Sequence, residues 1–210
     1  MSQRMESISH LAHNLPVLED PFLNQLIEQY YIEISACLNY YRFLYGLVQL
    51  YKPNLSVELG VELGLASAHM VSAASVYGGH VIGVERHFHH VPGRMIGETY
   101  GNYDFIIDDT MSDSTILRVK DLVARYGPIG VIFQDSSHHY AKSIREWELY
   151  SPLLSENAVW VCDDITSAFH DPKIDPPGKG MVQYFEGLPG EKMLIPDILH
   201  TGNTIGVVLP

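Results

Sequence analysis

Three carboxylates, Asp135, Asp163 and Asp164, stand just after two short apolar runs, Ile-Gly-Val-Ile-Phe at 129–133 and Ala-Val-Trp-Val-Cys at 158–162. If those runs are neighbouring strands, the three acids reach one rim. Like charges crowded there raise one another's pKa unless a cation lies between them, and an all-oxygen set suits Mg²⁺ or Ca²⁺ better than a soft metal. A divalent cation, Mg²⁺ by preference, is the expected occupant. His138 follows Asp135 by three positions, on a loop where an imidazole of near-neutral pKa can take a proton from a bound hydroxyl. His138 and Asp135 are therefore the candidate catalytic residues. Each has a plainer use: Asp135 can open the next helix as an N-cap, Asp163 or Asp164 can cap a loop, and His138 can face solvent.

A second group of residues surrounds a glycine turn. The run 56–59 continues as Gly60-Val-Glu-Leu-Gly64-Leu-Ala-Ser67. Gly60 permits a tight turn, Gly64 a close approach, and Ser67 can satisfy free amides in a first helical turn. A dinucleotide fingerprint counted from Gly60 needs glycine at 62 and 65, which are Glu62 and Leu65, and a carboxylate at 62 repels a pyrophosphate. The turn suits a ligand without phosphates, and Glu58 with Glu62 favours one carrying an amino group. A strand-to-helix turn of purely structural purpose has the same spacing. Glu85 ends the run 80–85, a place where an acid accepts from ribose hydroxyls, or where a carboxylate is simply solvated. After 103–107 come Asp108, Asp109, Thr110 and Met111, where one carboxylate can accept from an adenine amino group and Met111 can lie on the ring. His87, His89 and His90 lack the further ligands that zinc needs and read as a polar loop.

The elements that must position these groups follow from periodicity. Apolar residues recur every three or four positions from 21 to 51, which predicts one long or two broken helices, rich in tyrosine (Tyr30, Tyr31, Tyr40, Tyr41, Tyr45, Tyr51) and suited to a lid or a dimer face. From 53 onward short apolar runs alternate with helical stretches: strands at 56–59, 80–85, 103–107, 129–133 and 158–162, helices near 67–76, 114–126 and 140–154. Continuous apolar runs mark strands covered on both faces. A loop rich in Pro, Gly and Asp, 169–180, is expected to shape the mouth of a site. A short helix at 181–186 and strands at 192–195 and 204–209, joined by Thr201-Gly202-Asn203, complete the pattern. The division is thus a helical segment, 1–52, and an α/β domain, 53–210.

Composition narrows the partners. Lys and Arg number 13 against 25 Asp and Glu, a formal charge of −12, and such a surface repels nucleic-acid backbones and anionic lipid. The start has no apolar signal-peptide core, no stretch approaches the ~20 apolar residues that span a bilayer, and Cys37 and Cys162 form no metal or disulfide framework. A reducing cytoplasm, with no nucleic acid and no membrane, is the expected setting.

Taken together, Val57-Glu58-Leu59-Gly60 with Gly64 and Ser67, Glu85, Asp135-x-x-His138-x-Tyr140 and Asp163-Asp164 resemble the class I S-adenosylmethionine-dependent methyltransferases. Within them the chain is most similar to the small metal-dependent O-methyltransferases and their cephalosporin-hydroxylase-like and macrolide-sugar methyltransferase relatives, which carry an Asp-Gly-x-His-x-Tyr segment and an acidic pair after the fifth strand. Ser136 stands where that family usually has glycine. The resemblance implies a Rossmann-like three-layer α/β sandwich, a mostly parallel seven-stranded sheet with an antiparallel last strand, preceded by N-terminal helices. It implies S-adenosylmethionine held by Glu58, Gly60, Gly64, Ser67, Glu85, Asp109 and Asp135, and a divalent cation on Asp135, Asp163 and Asp164. The acceptor would be a small hydroxylated molecule, and the protein can form a homodimer or higher homo-oligomer. Two other readings use the same residues: a noncatalytic cofactor-binding scaffold and a nicotinamide-dependent oxidoreductase.

Overall fold

Seven short strands pair into one sheet: β1 Leu55–Leu59, β2 His80–Glu85, β3 Tyr103–Ile107, β4 Ile129–Gln134, β5 Leu154–Cys162, β6 Glu191–Ile195 and β7 Ile205–Leu209. Their order is β3-β2-β1-β4-β5-β7-β6. Neighbours from β3 to β5 run parallel, and β7 is antiparallel to both β5 and β6. This is the expected seven-stranded α/β sandwich with its reversed last strand. The computed structural model describes residues 1–34, 38–87, 92–166, 171–195 and 204–210. Cys37, His89, His90, the start of the 169–180 loop and the turn 201–203 lie outside the described residues.

Among the described residues eight helices cover the sheet: α1 Gln3–His13, α2 Pro21–Ile34, α3 Leu38–Tyr51, α4 Leu65–Ser75, α5 Pro92–Tyr100, α6 Asp113–Tyr126, α7 Tyr140–Tyr150 and α8 Met181–Gly187. Strand alternation sorts the core into two layers. Val131 and Phe133 of β4 and Val159 and Val161 of β5 pack with α1, α3 and α4, whereas Ile132, Trp160 and Cys162 pack with Tyr150, Tyr184 and Phe185 on the opposite face. The N-terminal helices share the first layer, with Met5, Ile8, Leu23, Phe43 and Leu47 all buried. Arg4 of α1 donates to the Asn157 and Ala158 carbonyls at 2.7 and 3.0 Å, tying the start of the chain to β5. Among the described residues, no helix is long and apolar enough to cross a membrane.

The structure departs from the sequence reading in several places. Helix α1 was not placed within the helical segment 1–52, because its apolar positions are few; Met5, Ile8 and Ala12 are enough to bury one face, and Ser2 caps it by accepting from the Met5 amide. Helix α5 fills the crossover between β2 and β3, where only a polar loop was foreseen. Pro92 occupies its first position, where a missing amide costs nothing, and Ile96 anchors it in the core. The 21–51 stretch is described as the helices α2 and α3, within the expected one long or two broken helices. Strand β5 starts four residues early, at Leu154, and Pro152 ends the preceding helix in a single 3₁₀ turn, 151–153.

One buried group in the α3–α4 layer makes stability depend on pH. His69 is fully buried, its Nδ1–H donates to the Leu65 carbonyl at 2.7 Å, and its Nε2 has no hydrogen-bond partner among the described residues. Burial, with Arg42 adding repulsion, pulls its pKa down to about 4 against the bond to Leu65. An unfolded chain takes that proton near pH 6.5, so between pH 6.5 and 4 the unfolded state binds more protons and stability falls with falling pH. We expect this one group to remove roughly 2–3 kcal/mol between pH 7 and 4.5. Urea titrations at both pH values check it: His69→Gln should lose less stability across that interval than the wild type.

Candidate functional site

The order of strands reverses direction of growth between β1 and β4, and the carboxyl ends of strands at such a switch point are where open α/β sheets bind ligands. Gly60 leaves β1 with φ +89°, its amide bonded to the Val84 carbonyl at 2.9 Å. A Cβ there would overlap the Asp135 carbonyl and lie 2.6 Å from Ser136 Cα. Glycine is thus what lets the turn press against the end of β4. Gly64, at φ 75°, is the N-cap of α4, which therefore begins at Leu65.

Ser67 is not the cap the sequence suggested. It sits inside α4, and its hydroxyl donates to the Glu58 carboxylate and lies 2.8 Å from the Tyr103 hydroxyl. Tyr103 reaches it by crossing Gly83, where any side chain would collide with the phenol. Glu58 is 1% exposed; burial pushes its pKa well above the usual range, the charges of Asp135 and Glu85 add to this, and the Ser67 bond opposes it. Its carboxyl, next to the end of β1, is bonded to Ser67.

Glu85 pins the same turn from the side. One oxygen accepts from the Val61 and Glu62 amides at 3.0 and 3.1 Å, the other from His87 N at 3.0 Å. Burial alone would raise its pKa, but these backbone donors, with Arg86, hold it low and the group ionised. The turn's amides are thereby occupied by a carboxylate, in keeping with a turn not built for phosphate. Asp108 and Asp109 take different partners. Asp108 serves hydroxyls of Ser114 and Ser112, which bring its pKa to about 2. Asp109 bonds the Arg86 guanidinium and accepts the Met111 amide at 2.9 Å; burial opposes ionisation, and these partners overcome it.

Gly60, Glu85, Arg86, Asp109, Met111, Ser136 and Lys142 line one cleft of about 490 Å³, solvent-open space included. Under its floor is a network that the sequence did not announce. Glu146 of α7 accepts from Thr110, Ser136 and, at 2.8 Å, Gln134 Nε2. The Gln134 oxygen in turn accepts from Trp160 Nε1 at 3.1 Å and the Tyr184 hydroxyl at 2.6 Å. Gln134 and Glu146 are buried, and buried polar groups need such full pairing. Glu146 sits on the inner face of α7, three residues beyond buried Ser143, a spacing that could have pointed to it.

The acids gather as expected, and more tightly around His138 than foreseen. His138 Nε2 lies 3.3 Å from Asp135 Oδ1, 3.9 Å from Asp163 Oδ2 and 3.9 Å from Asp164 Oδ2. Ligand atoms of Asp135, His138 and Asp163 all lie within 4.8 Å of one another. His138 is inside the acidic cluster rather than beside it. Helix α7 is capped by His139, so Asp135 is not a helix opener. Burial, against a hydrogen bond with Asp163 and with the Asp164 charge adding to it, raises the Asp135 pKa to about 7. Asp163 is pushed well above the carboxylate range by burial and by the charges of Asp135 and Asp164.

The residues fit a hard divalent cation. Asp164 adopts φ 51°, an uncommon left-handed conformation for a residue with a side chain, and its buried Oδ1 has no hydrogen-bond partner among the described residues. A buried acceptor without a donor, beside two carboxyls whose pKa values burial and neighbouring carboxylates push up, is what a cation would satisfy. His139 turns the other way: its Nδ1 meets Asp175 at 3.0 Å, and Asp175 also accepts from the Ala141 and Asp171 amides. That clasp fixes the described part of the Pro-Gly-Asp loop to the start of α7.

A family model described as a methyltransferase domain matches residues 57–165, more than half of the chain. The fold is similar to that of an O-methyltransferase from Bacillus cereus in complex with SAH, at 16% identity over 98% of this chain and 97% of that one, TM-score 0.70. It is similar also to a methyltransferase from Podospora anserina bound to SAH, at 13% identity, 100% and 96% coverage and TM-score 0.65. A third likeness is to an O-methyltransferase of tomaymycin synthesis from Streptomyces achromogenes in complex with SAM, at 14% identity, 100% and 99% coverage and TM-score 0.61. No curated protein sequence matches significantly. The chain belongs to the methyltransferase-domain family, with the fold of the class I S-adenosylmethionine-dependent methyltransferases.

Proposed function

We propose that the protein transfers the methyl group of S-adenosylmethionine to a hydroxyl oxygen of a small molecule, with a divalent cation, Mg²⁺ by preference, held by Asp135, Asp163 and Asp164. The observation that carries this reading is the convergence of those three carboxylates on His138 Nε2 within 3.3–3.9 Å, next to the cleft at Gly60. Two of the three structural relatives described above are O-methyltransferases, which supports oxygen as the acceptor atom.

Each part has a physical task. Asp109, ionised and beside Met111, suits an adenine amino group, and Glu85 suits a ribose. The acidic rim favours a sulfonium charge. When bound, a divalent cation supplies positive charge that makes a nearby hydroxyl easier to ionise. His138 Nε2 would accept the hydroxyl proton. Methyl transfer from a cation to an oxyanion cancels charge, so exclusion of water helps, and the clasped 171–180 loop with the N-terminal helices offers that cover. Vicinal oxygens, as in a catechol or a sugar diol, would use two positions on the cation.

A second reading of His138 is favoured by its place among the closest ligand atoms, namely as a fourth ligand. Both are tested together. With S-adenosylmethionine, Mg²⁺ and a panel of catechols and sugar diols, SAH should form, EDTA should stop it and added Mg²⁺ should restore it. His138→Gln should lower turnover by about 10²–10⁴-fold, with Mn²⁺ affinity unchanged if the imidazole is the base and weakened if it is a ligand. No SAH from any acceptor, with SAH still bound by calorimetry, would favour the scaffold; a thermal shift with NAD but not with SAH would favour the oxidoreductase.

A further inference from the structure

A phenol from outside the matched domain reaches into the acidic cluster. Tyr40 of α3 is 3% exposed, and its ring is fixed edge-on against Phe133 with centroids 5.3 Å apart and stacked on Tyr41 at 5.0 Å. Its hydroxyl donates to Asp135 Oδ2 at 3.3 Å. The other oxygen of the same carboxylate, Oδ1, faces His138. The two oxygens of Asp135 are therefore divided, one toward α3 and one toward the shared centre. Phe133 precedes Asp135 by two residues and packs in the same layer as Tyr40, so one packing contact sets both the ring and the height of its hydroxyl over the end of β4.

We propose that Tyr40 is a positioning residue for the cation site: its hydrogen bond occupies Asp135 Oδ2 and holds Oδ1 toward Asp163 and His138. The inference rests on the divalent-cation reading above. The phenol is suited to the task because its ring is held in place by Phe133 and Tyr41 while its hydroxyl donates to the carboxylate. Partners that orient a ligating group in this way typically change metal affinity by about 10–100-fold when removed. On this view helix α3 is a working part of the site, and a domain trimmed to the matched residues 57–165 lacks it.

The test is Mn²⁺ affinity, followed by electron paramagnetic resonance on the full chain with SAH present, for wild type, Tyr40→Phe and Phe133→Leu. Tyr40→Phe removes one oxygen and keeps the ring. We expect its Mn²⁺ dissociation constant to rise by about 10–100-fold, with SAH affinity and melting temperature near those of the wild type. Phe133→Leu loosens the same packing and keeps the hydroxyl, so it should lower the melting temperature and change Mn²⁺ affinity less. Unchanged Mn²⁺ binding in Tyr40→Phe, while the wild type binds, overturns this proposal alone. Equal weakening in both variants, or parallel loss of SAH binding and stability in Tyr40→Phe, assigns the tyrosine to packing and overturns it too. A wild type that binds no Mn²⁺ removes the cation reading itself, and this proposal with it.

Discussion

Asp163→Ala should lower methyl transfer by about a thousandfold and leave the folded protein as stable as before, or more so. Loss of a ligand to a cation that stabilises developing charge is worth several kcal/mol of barrier, and each ~1.4 kcal/mol is a factor of ten. Stability should move the other way because Asp163 is costly to bury: its pKa is pushed far up by burial and by Asp135 and Asp164. Removing it relieves crowding among three neighbouring acids. SAH binding should survive, since Asp163 does not line the cleft at Gly60. Turnover, Mn²⁺ binding and thermal unfolding measured on one preparation decide the matter. A variant that keeps its turnover, or that unfolds early and loses everything together, would show the acids to be scaffolding.

Gly60→Ala should fail at an earlier step, the binding of SAH. The residue holds φ +89°, which costs a residue with a Cβ about 1–2 kcal/mol, and the added methyl overlaps the Asp135 carbonyl and crowds Ser136. Those are backbone atoms and cannot swing aside. The turn must lift away from β4, breaking the Asp135 N to Leu59 O bond of 2.8 Å. We expect a loss of roughly 2–4 kcal/mol, a fall in melting temperature of about 5–15 °C, and SAH affinity reduced at least about a hundredfold. Calorimetry with SAH and a thermal scan check both. Gly178→Ala is a matched control: it too has positive φ, but nothing lies within 4 Å of its added Cβ, so it should cost only the backbone strain and spare SAH.

The frame of the site was readable because strands covered on both faces leave a plain trace. Short apolar runs, most of them continuous, located the seven strands described, and the acids near their carboxyl ends, Glu85, Asp135, Asp163 and Asp164, were visible from position alone. What stayed hidden depends on helices docking across the sheet. Tyr40 and Asp135 are 95 positions apart, and no local pattern says that one phenol among six in that stretch meets a carboxylate. Glu58 bonds Ser67 nine residues later, and Ser67 in turn meets Tyr103, a chain of contacts that no local motif announces. Glu146 reads as an ordinary helix acid, and only the hydroxyls of Thr110 and Ser136 above it reveal a buried anchor. Helix α5 was missed because few apolar residues mark it and its opening turn follows a run of histidines.

The crossing of Tyr103 over Gly83 ties two positions into one evolutionary unit. A side chain at 83 is tolerable only once the phenol at 103 has shortened or gone, and a lineage that has enlarged 83 cannot regain tyrosine at 103 without first reversing that step. The turn that begins at Gly60 rests on the outcome, because the hydroxyl of Tyr103 ends against Ser67 and, through it, Glu58. Drift at a silent-looking glycine in the second strand thus sets which polar floors are open to descendants of this fold.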